Sequence, residues 1–221
     1  MSLFITGTDT GVGKTYTVIQ LLRLLRGVGR TCAGMKPICC GDRDDAHLLL
    51  AASSSGLTID EINPLWLKTP AAPLTAALVE NVTVDRARLA AAFGSLQARV
   101  PLVLVEGVGG WLVPIAEGYF VQDLAADLGL PVLVVAENRL GCLNHTLLTL
   151  QSVAARGLRC VGVVLNTTIS EKGVASSTNA EVLRKLVGVP VLPELIENAT
   201  ELTAEWAVTF EQVFPRNLSS N

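Results

Sequence analysis

Apolar residues fall along this chain in two alternating rhythms. Short β-branched runs, LFIT at 3–6, TCAGMKPI at 31–38, PLVLVEG at 101–107, PVLVVAE at 131–137 and CVGVVLN at 160–166, read as strands. Within LVLVE, VLVVA and VGVVL the apolar side chains follow one another almost without alternation, as expected of a parallel sheet covered by helices on both faces. Between the runs the spacing changes to that of a helix. Val18, Leu21, Leu22 and Leu25 fall at i, i+3, i+4 and i+7, and Val121, Leu124, Ala125 and Leu128 repeat the pattern. Leu143, Leu147, Leu150 and Ala154 predict another helix, stopped near Gly157, and Ala180 to Leu186 one more before VPVL opens a final strand. The alternation predicts an α/β fold in three layers, a doubly wound, mainly parallel sheet.

Residues 53–82 break the rhythm. NPLWLKTPAAP carries three prolines, so this stretch reads as an excursion with a short helix or two. The chain has 221 residues, half of them apolar, which favours one α/β domain over 1–221 with a polar, frayed tail from about 215.

Charge narrows the partners. A net charge of −3 offers no basic field for nucleic acid, and two histidines offer little for a histidine-built metal site, so a small molecule is the expected partner. The five cysteines, two adjacent at Cys39 and Cys40, lack C-x-x-C spacing and read as reduced thiols. The first residues, MSLFITGTDT, lack the pattern of a secretory leader, and no apolar run approaches the ~18 residues of a membrane span. A cytoplasmic protein without a membrane partner is expected.

The chemistry starts directly after the first strand, where Gly7-Thr8-Asp9-Thr10-Gly11-Val12-Gly13-Lys14-Thr15 leads into the first amphipathic helix. Phosphates need inward-pointing N–H groups, a slim loop and positive potential, and a glycine-rich turn at a helix N-terminus supplies all three. Lys14 adds a full charge for the β and γ phosphates, and the Thr15 hydroxyl suits Mg²⁺. The usual G-x-x-x-x-G-K-[ST] pattern would place glycine at position 8, where this chain has Thr8 and its glycine one residue upstream.

A nucleotide-bound Mg²⁺ prefers carboxylate oxygen. Glu106 ends LVLVE and is followed by Gly107-Val108-Gly109-Gly110, which leave room for a ligand's approach. Asp45 begins a predicted helix, where an ordinary helix-start aspartate is an equal reading. Lys36 closes the second strand candidate at the edge where ligands of open α/β sheets collect, and position alone leaves it either a ligand group or a surface lysine.

GTDTGVGKT, GMKP, VEGVGGW and LGCLNHTLLT, in this order and at these separations, resemble the dethiobiotin synthetase family from Phe4 to about Asn198. Threonine in place of the first loop glycine is itself a trait of that family. The resemblance implies ATP- and Mg²⁺-dependent ring closure of 7,8-diaminononanoate with CO₂ to dethiobiotin, in biotin biosynthesis. One amine becomes a carbamate, ATP activates it as a mixed carbamic-phosphoric anhydride, and the second amine closes the cyclic urea.

The same resemblance implies roles for particular residues. Lys36 steadies the carbamate beside Thr10 and Lys14, and Thr15, Asp45 and Glu106 are the magnesium positions. Gly11, Val12, Gly13, Tyr16, Gly107, Val108 and Gly109 accompany the nucleotide. Asn166 reads adenine, with Leu192, Pro193, Glu194 and Asn198 in a later base-contacting loop. Gly141, Cys142, Leu143 and Asn144 open a helix that holds the substrate carboxylate from the neighbouring subunit, which implies a homodimer. His145 reads as a hydrogen-bonded helix residue. Cys40 stands where the family pattern has a substrate-side serine, and Gly11 where some members carry glutamate.

A different class of function shares this loop: the ATP-driven dimerisation switches of the ParA and MinD kind, which make no small-molecule product. Their signature is a further lysine near the start of the loop, and no lysine precedes Lys14 here.

Overall fold

A computed structural model describes residues 2–167, 173–196, 206 and 209. In chain order the elements are β1 (Leu3–Gly7), α1 (Lys14–Gly27), β2 (Cys32–Met35), β3 (Ile38–Cys40), α2 (Asp44–Ala52), α3 (Ile59–Ile62), β4 (Leu65–Leu67), α4 (Pro73–Glu80) and α5 (Arg86–Arg99). They continue with β5 (Leu102–Gly110), β6 (Pro114–Ala116), β7 (Tyr119–Phe120), α6 (Val121–Asp127), β8 (Val132–Glu137), α7 (Cys142–Ala155), β9 (Cys160–Thr167), α8 (Val174–Leu186) and β10 (Leu195–Ile196).

Six strands form one sheet in the order β10-β9-β8-β1-β5-β2, and every pairing in it is parallel. All of β1 is buried, as are the first six residues of β5 and the first five of β8, so side chains pointing both ways are covered. That explains the unalternated apolar runs. From β1 the chain crosses to β2 at one edge, returns to β5, then moves to β8 on the other side of β1. The reversal opens a crevice at the carboxyl ends of β1 and β5, the place where open α/β sheets collect ligands.

Several elements depart from the sequence pattern. The run expected as one strand over 31–38 divides at Lys36–Pro37. Pro37 has no N–H to give a ladder, and the Lys36 N–H donates to the Ile62 carbonyl at 2.8 Å. β3 then pairs with β4 in a separate small parallel sheet. The expected final strand at VPVL is a single bridge, Val163 to Val191, with β10 following two residues after Pro193. The β6–β7 pair and α5 were not anticipated. α5 forms because Asp85 caps it, accepting the Arg88 N–H at 3.1 Å, while Leu89, Phe93 and Leu96 bury one face. The excursion after 53 holds α3 and α4, as expected, and β4 besides. The polar tail from about 215 lies outside the described residues.

Candidate active site

The loop between β1 and α1 owes its shape to glycine at three places. Gly11 and Gly13 take left-handed backbone angles, with φ of 76° and 89°. At Gly13 a Cβ would fall 1.9 Å from the Asn166 amide nitrogen, so the loop and the end of β9 fit together only without a side chain. At Gly7 a Cβ would meet the Asp9 carbonyl at 2.6 Å and Val12 at 2.8 Å. The close approach therefore occurs at Gly7. Thr8 has no left-handed backbone and donates its N–H to the Val135 carbonyl at 2.9 Å, which is why threonine is accommodated where the common pattern has glycine.

Lys14 folds back over this loop, with Nζ 3.0 Å from the Asp9 carbonyl, and is only 6 % exposed. Burial pushes its pKa down to about 8, partly offset by the carboxylate of Glu106, with Lys36 adding to the fall. An amine so placed gains much by meeting phosphate.

Four side chains interlock below it. Thr15 Oγ1 lies 2.8 Å from Asp45 Oδ1 and 2.9 Å from Glu106 Oε1. Lys36 Nζ donates to Asp45 Oδ2 at 2.7 Å and to Glu106 Oε1. Burial opposes the charge on Lys36, yet the carboxylates of Glu106 and Asp45 outweigh it and raise the ammonium pKa above its ordinary value. Burial likewise opposes ionisation of Asp45, and Lys36, followed by the Thr15 hydrogen bond, draws its pKa below the usual range.

Glu106 is 1 % exposed and sits within β5, opposite Ile5. The strand expected over 101–107 runs on to Gly110, with an irregularity in its pairing between Ile5 and Gly7. Gly109, with φ of 61°, lets that extension reach Thr10: a Cβ there would come within 3.3 Å of the Thr10 hydroxyl.

Hard oxygen donors thus converge: the Thr15 hydroxyl and the carboxylates of Asp45 and Glu106. Glu106 Oε2 is buried with no hydrogen-bond partner among the described residues, an orphan that calls for a cation. The donors fit Mg²⁺, which takes few protein oxygens and completes its shell with phosphate and water. Among the described residues no three His, Cys, Asp or Glu side chains are grouped so that they could hold a metal ion by themselves.

These groups face a cavity of about 680 Å³. Of the expected residues, Thr10, Gly11, Gly13, Lys14, Thr15, Tyr16, Lys36, Cys40, Asp45, Glu106, Val108 and Gly109 line it. Val12 and Gly107 lie behind, both buried. Nothing in the residue pattern marked the opposite wall, where Cys39, Asp42 and Pro70 to Pro73 line the same space. The three-proline stretch was the available signal, but its position depends on the β3–β4 pairing.

The remaining expected residues stand elsewhere. Asn166, in β9, donates to the Val12 carbonyl at 3.2 Å, and its Oδ1 is buried with no hydrogen-bond partner among the described residues. Leu192 and Pro193 are buried beside β9, and Glu194 accepts from the Thr167 hydroxyl at 3.1 Å. Tyr16 reaches this loop too, donating to the Ile196 carbonyl at 2.8 Å. Asn198 lies outside the described residues. Gly141, Cys142, Leu143 and Asn144 do not border the cavity of their own chain. Gly141 takes φ of 93° ahead of α7, and the Cys142 N–H is engaged by the Arg139 carbonyl at 3.2 Å. His145 lines a second cavity of about 390 Å³ with Trp111 and Leu148.

A family profile described as an AAA domain matches residues 1–205. The chain is 46 % identical over 195 residues to the ATP-dependent dethiobiotin synthetase BioD of Akkermansia muciniphila, covering 88 % of this chain and 92 % of that one. It is 45 % identical to the enzyme of the same name from Aromatoleum aromaticum, covering 86 % and 87 %. Among solved structures, the septum site-determining protein MinD of Pyrococcus horikoshii, complexed with Mg-ADP, is similar with a TM-score of 0.56 at 16 % identity, covering 96 % of this chain and 85 % of that one. Cobyrinic acid a,c-diamide synthase of Mycobacterium smegmatis, with bound ATP analog and magnesium, is similar at 0.55 and 15 %, covering 96 % and 91 %. At such identities the last two speak to the fold alone.

Proposed function

The chain belongs to the ATP-dependent dethiobiotin synthetase family and makes dethiobiotin in biotin biosynthesis, and on that premise we propose that it is a cyclo-ligase closing 7,8-diaminononanoate and CO₂ into a cyclic urea. The observation that carries the reading is the convergence of Lys14, Lys36, Thr15, Asp45 and Glu106 on one cavity. Carbamate and γ-phosphate are both anions, and bringing them together requires cations more than a protein nucleophile.

One amine nitrogen bonds to CO₂ and loses a proton, giving a carbamate. A carbamate oxygen attacks the γ-phosphorus and ADP departs. The second amine attacks the carbamoyl carbon, phosphate departs, and loss of a proton leaves the urea. Lys14 binds the phosphate chain from the loop side. Lys36 holds the carbamate from the other, and Thr10 orients it. Mg²⁺, when bound by Thr15, Asp45 and Glu106, supplies charge neutralisation at the phosphates. Asn166, whose Oδ1 has no partner among the described residues, is suited to accept from an adenine amino group, and Leu192, Pro193, Glu194 and Asn198 complete the base site. Gly11 to Tyr16 and Gly107 to Gly109 form the remaining ATP contacts.

The chain acts as a homodimer in this reading, and as one domain. Gly141 to Asn144, remote from their own cavity, serve the substrate carboxylate in the partner's. The exposed Leu112, Leu140 and Leu148 are apolar surface that dimerisation would cover. No helix among the described residues is long and apolar enough to cross a membrane.

The test is product formation from diamine, bicarbonate, ATP and Mg²⁺, omitting each in turn. Phosphate release indifferent to the diamine would favour a dimerisation switch of the MinD kind, whose further lysine ahead of Lys14 this sequence does not have.

A further inference from the structure

The cavity has two walls of different construction. One belongs to the main sheet and carries the phosphate and metal groups. The other is built by β3, β4 and α4: Leu67 of β4 and Ala76 and Ala77 of α4 form a small hydrophobic cluster of their own, while Ile38 and Cys39 of β3 join the main core. At the cavity this second unit presents Cys40 and the turn from Pro70 to Pro73. That surface is mostly apolar, suited to a hydrocarbon chain and without a cation for phosphate.

The turn is short of regular pairing and depends on a few specific contacts. Its strongest is made by the last residue of the helix it introduces: the Thr69 N–H donates to Glu80 Oε1 at 2.6 Å. A charged acceptor makes this bond stronger than an ordinary backbone pair. The Thr69 N–H, against desolvation and with help from Lys68, holds the Glu80 carboxyl below the usual carboxylate range. On the other side Gly41 packs under Pro70, where a Cβ would come within 3.1 Å of the proline ring. Gly41 is itself fixed, its N–H on the Leu67 carbonyl at 2.9 Å and its carbonyl taken by the Trp66 indole at 2.8 Å. None of these contacts involves the loop between β1 and α1. Loss of the Glu80 anchor would therefore loosen one wall and leave the phosphate side intact.

We propose that Glu80 is a positioning residue for the diamine, pinning the Thr69 amide and so fixing the Pro70–Pro73 wall against the substrate's hydrocarbon chain. The inference rests on the reading of the cavity as a diamine site.

Steady-state kinetics of the wild-type enzyme, Glu80→Ala, Glu80→Gln and Glu80→Asp, with ADP binding by calorimetry, test it. Glu80→Ala should raise the diamine KM about tenfold. The KM for ATP and the ADP affinity should stay within about twofold. Glu80→Gln keeps a carbonyl acceptor of the same reach and should restore most of the loss. Should Glu80→Ala fail to fold, Glu80→Asp, with its acceptor withdrawn by one methylene, should show an intermediate rise in the diamine KM alone. An unchanged diamine KM, an equal rise in both KM values, or a Gln variant no better than Ala would overturn the proposal. A wild-type enzyme that ignores the diamine would instead overturn the substrate reading, and this inference with it.

Discussion

Lys36 is the residue whose environment says most about its work. It is buried, held by Asp45 and Glu106, and so rests on the same carboxylate oxygens that suit a divalent cation. In the proposed mechanism, a divalent cation held by those carboxylates would free the Lys36 ammonium for the carbamate. Lys36→Ala should lower kcat by about 100-fold or more while the ATP dissociation constant changes less than about threefold, measured by rapid-quench turnover and calorimetry. Equal losses in both would move Lys36 to the phosphates. Cys40 is a quieter case. Burial, then the Glu80 carboxylate, pushes its thiol up to about 11. A raised thiol pKa means less thiolate at neutral pH: at pH 8 the thiolate fraction falls about 100-fold against an ordinary thiol, and greater intrinsic nucleophilicity returns roughly a factor of ten. Iodoacetamide should therefore modify Cys40 about tenfold more slowly than a free thiol, the rate still climbing at pH 10. Cys40→Ser, which supplies a better hydrogen-bond donor, should lower the diamine KM or leave it unchanged.

At the scale of elements, the turn between β1 and α1 is shaped as much by β9 as by its own glycines. Asn166 occupies the space a side chain at Gly13 would need, and its amide donates to Val12. Gly13→Ala must both adopt a left-handed backbone, costing about 1–3 kcal/mol, and displace that amide. We expect a loss of ATP affinity of 100-fold or more with a lowered Tm, measured by calorimetry and thermal melting. Asn166→Ala, which opens space without backbone strain, should weaken ATP binding without lowering Tm comparably. A Gly13→Ala protein with normal ATP affinity would mean that the loop does not depend on this contact.

Across the whole molecule, the helix start at Gly141 does not border the cavity around Lys36, and the proposed homodimer would join the two across subunits. Leu140 is 82 % exposed immediately before that helix. Leu140→Glu should shift the protein toward monomer in sedimentation and raise the diamine KM, with ADP affinity unchanged. A monomeric variant with normal diamine kinetics would remove the partner's helix from the site.

Most of the sheet was legible before any coordinates, because unalternated runs such as LVLVE and VLVVA have few other homes than a strand buried on both faces. The phosphate loop was legible for a similar reason: its glycines, lysine and threonine act within one continuous segment, and local chemistry leaves a local trace. The elements that escaped, β4, the β6–β7 pair and α5, are short or weakly periodic, so burial by their neighbours decides them. The same holds for the site. Glu106 could be named from its run of glycines, but that it, Asp45 and Lys36 share one knot depends on β5 and β2 lying side by side. The wall from Pro70 to Pro73, the anchor at Glu80 and the Tyr16 contact to Ile196 join residues from different elements. Contacts between residues far apart in the chain carry no periodicity of their own, and they exist only once the backbone has closed around them.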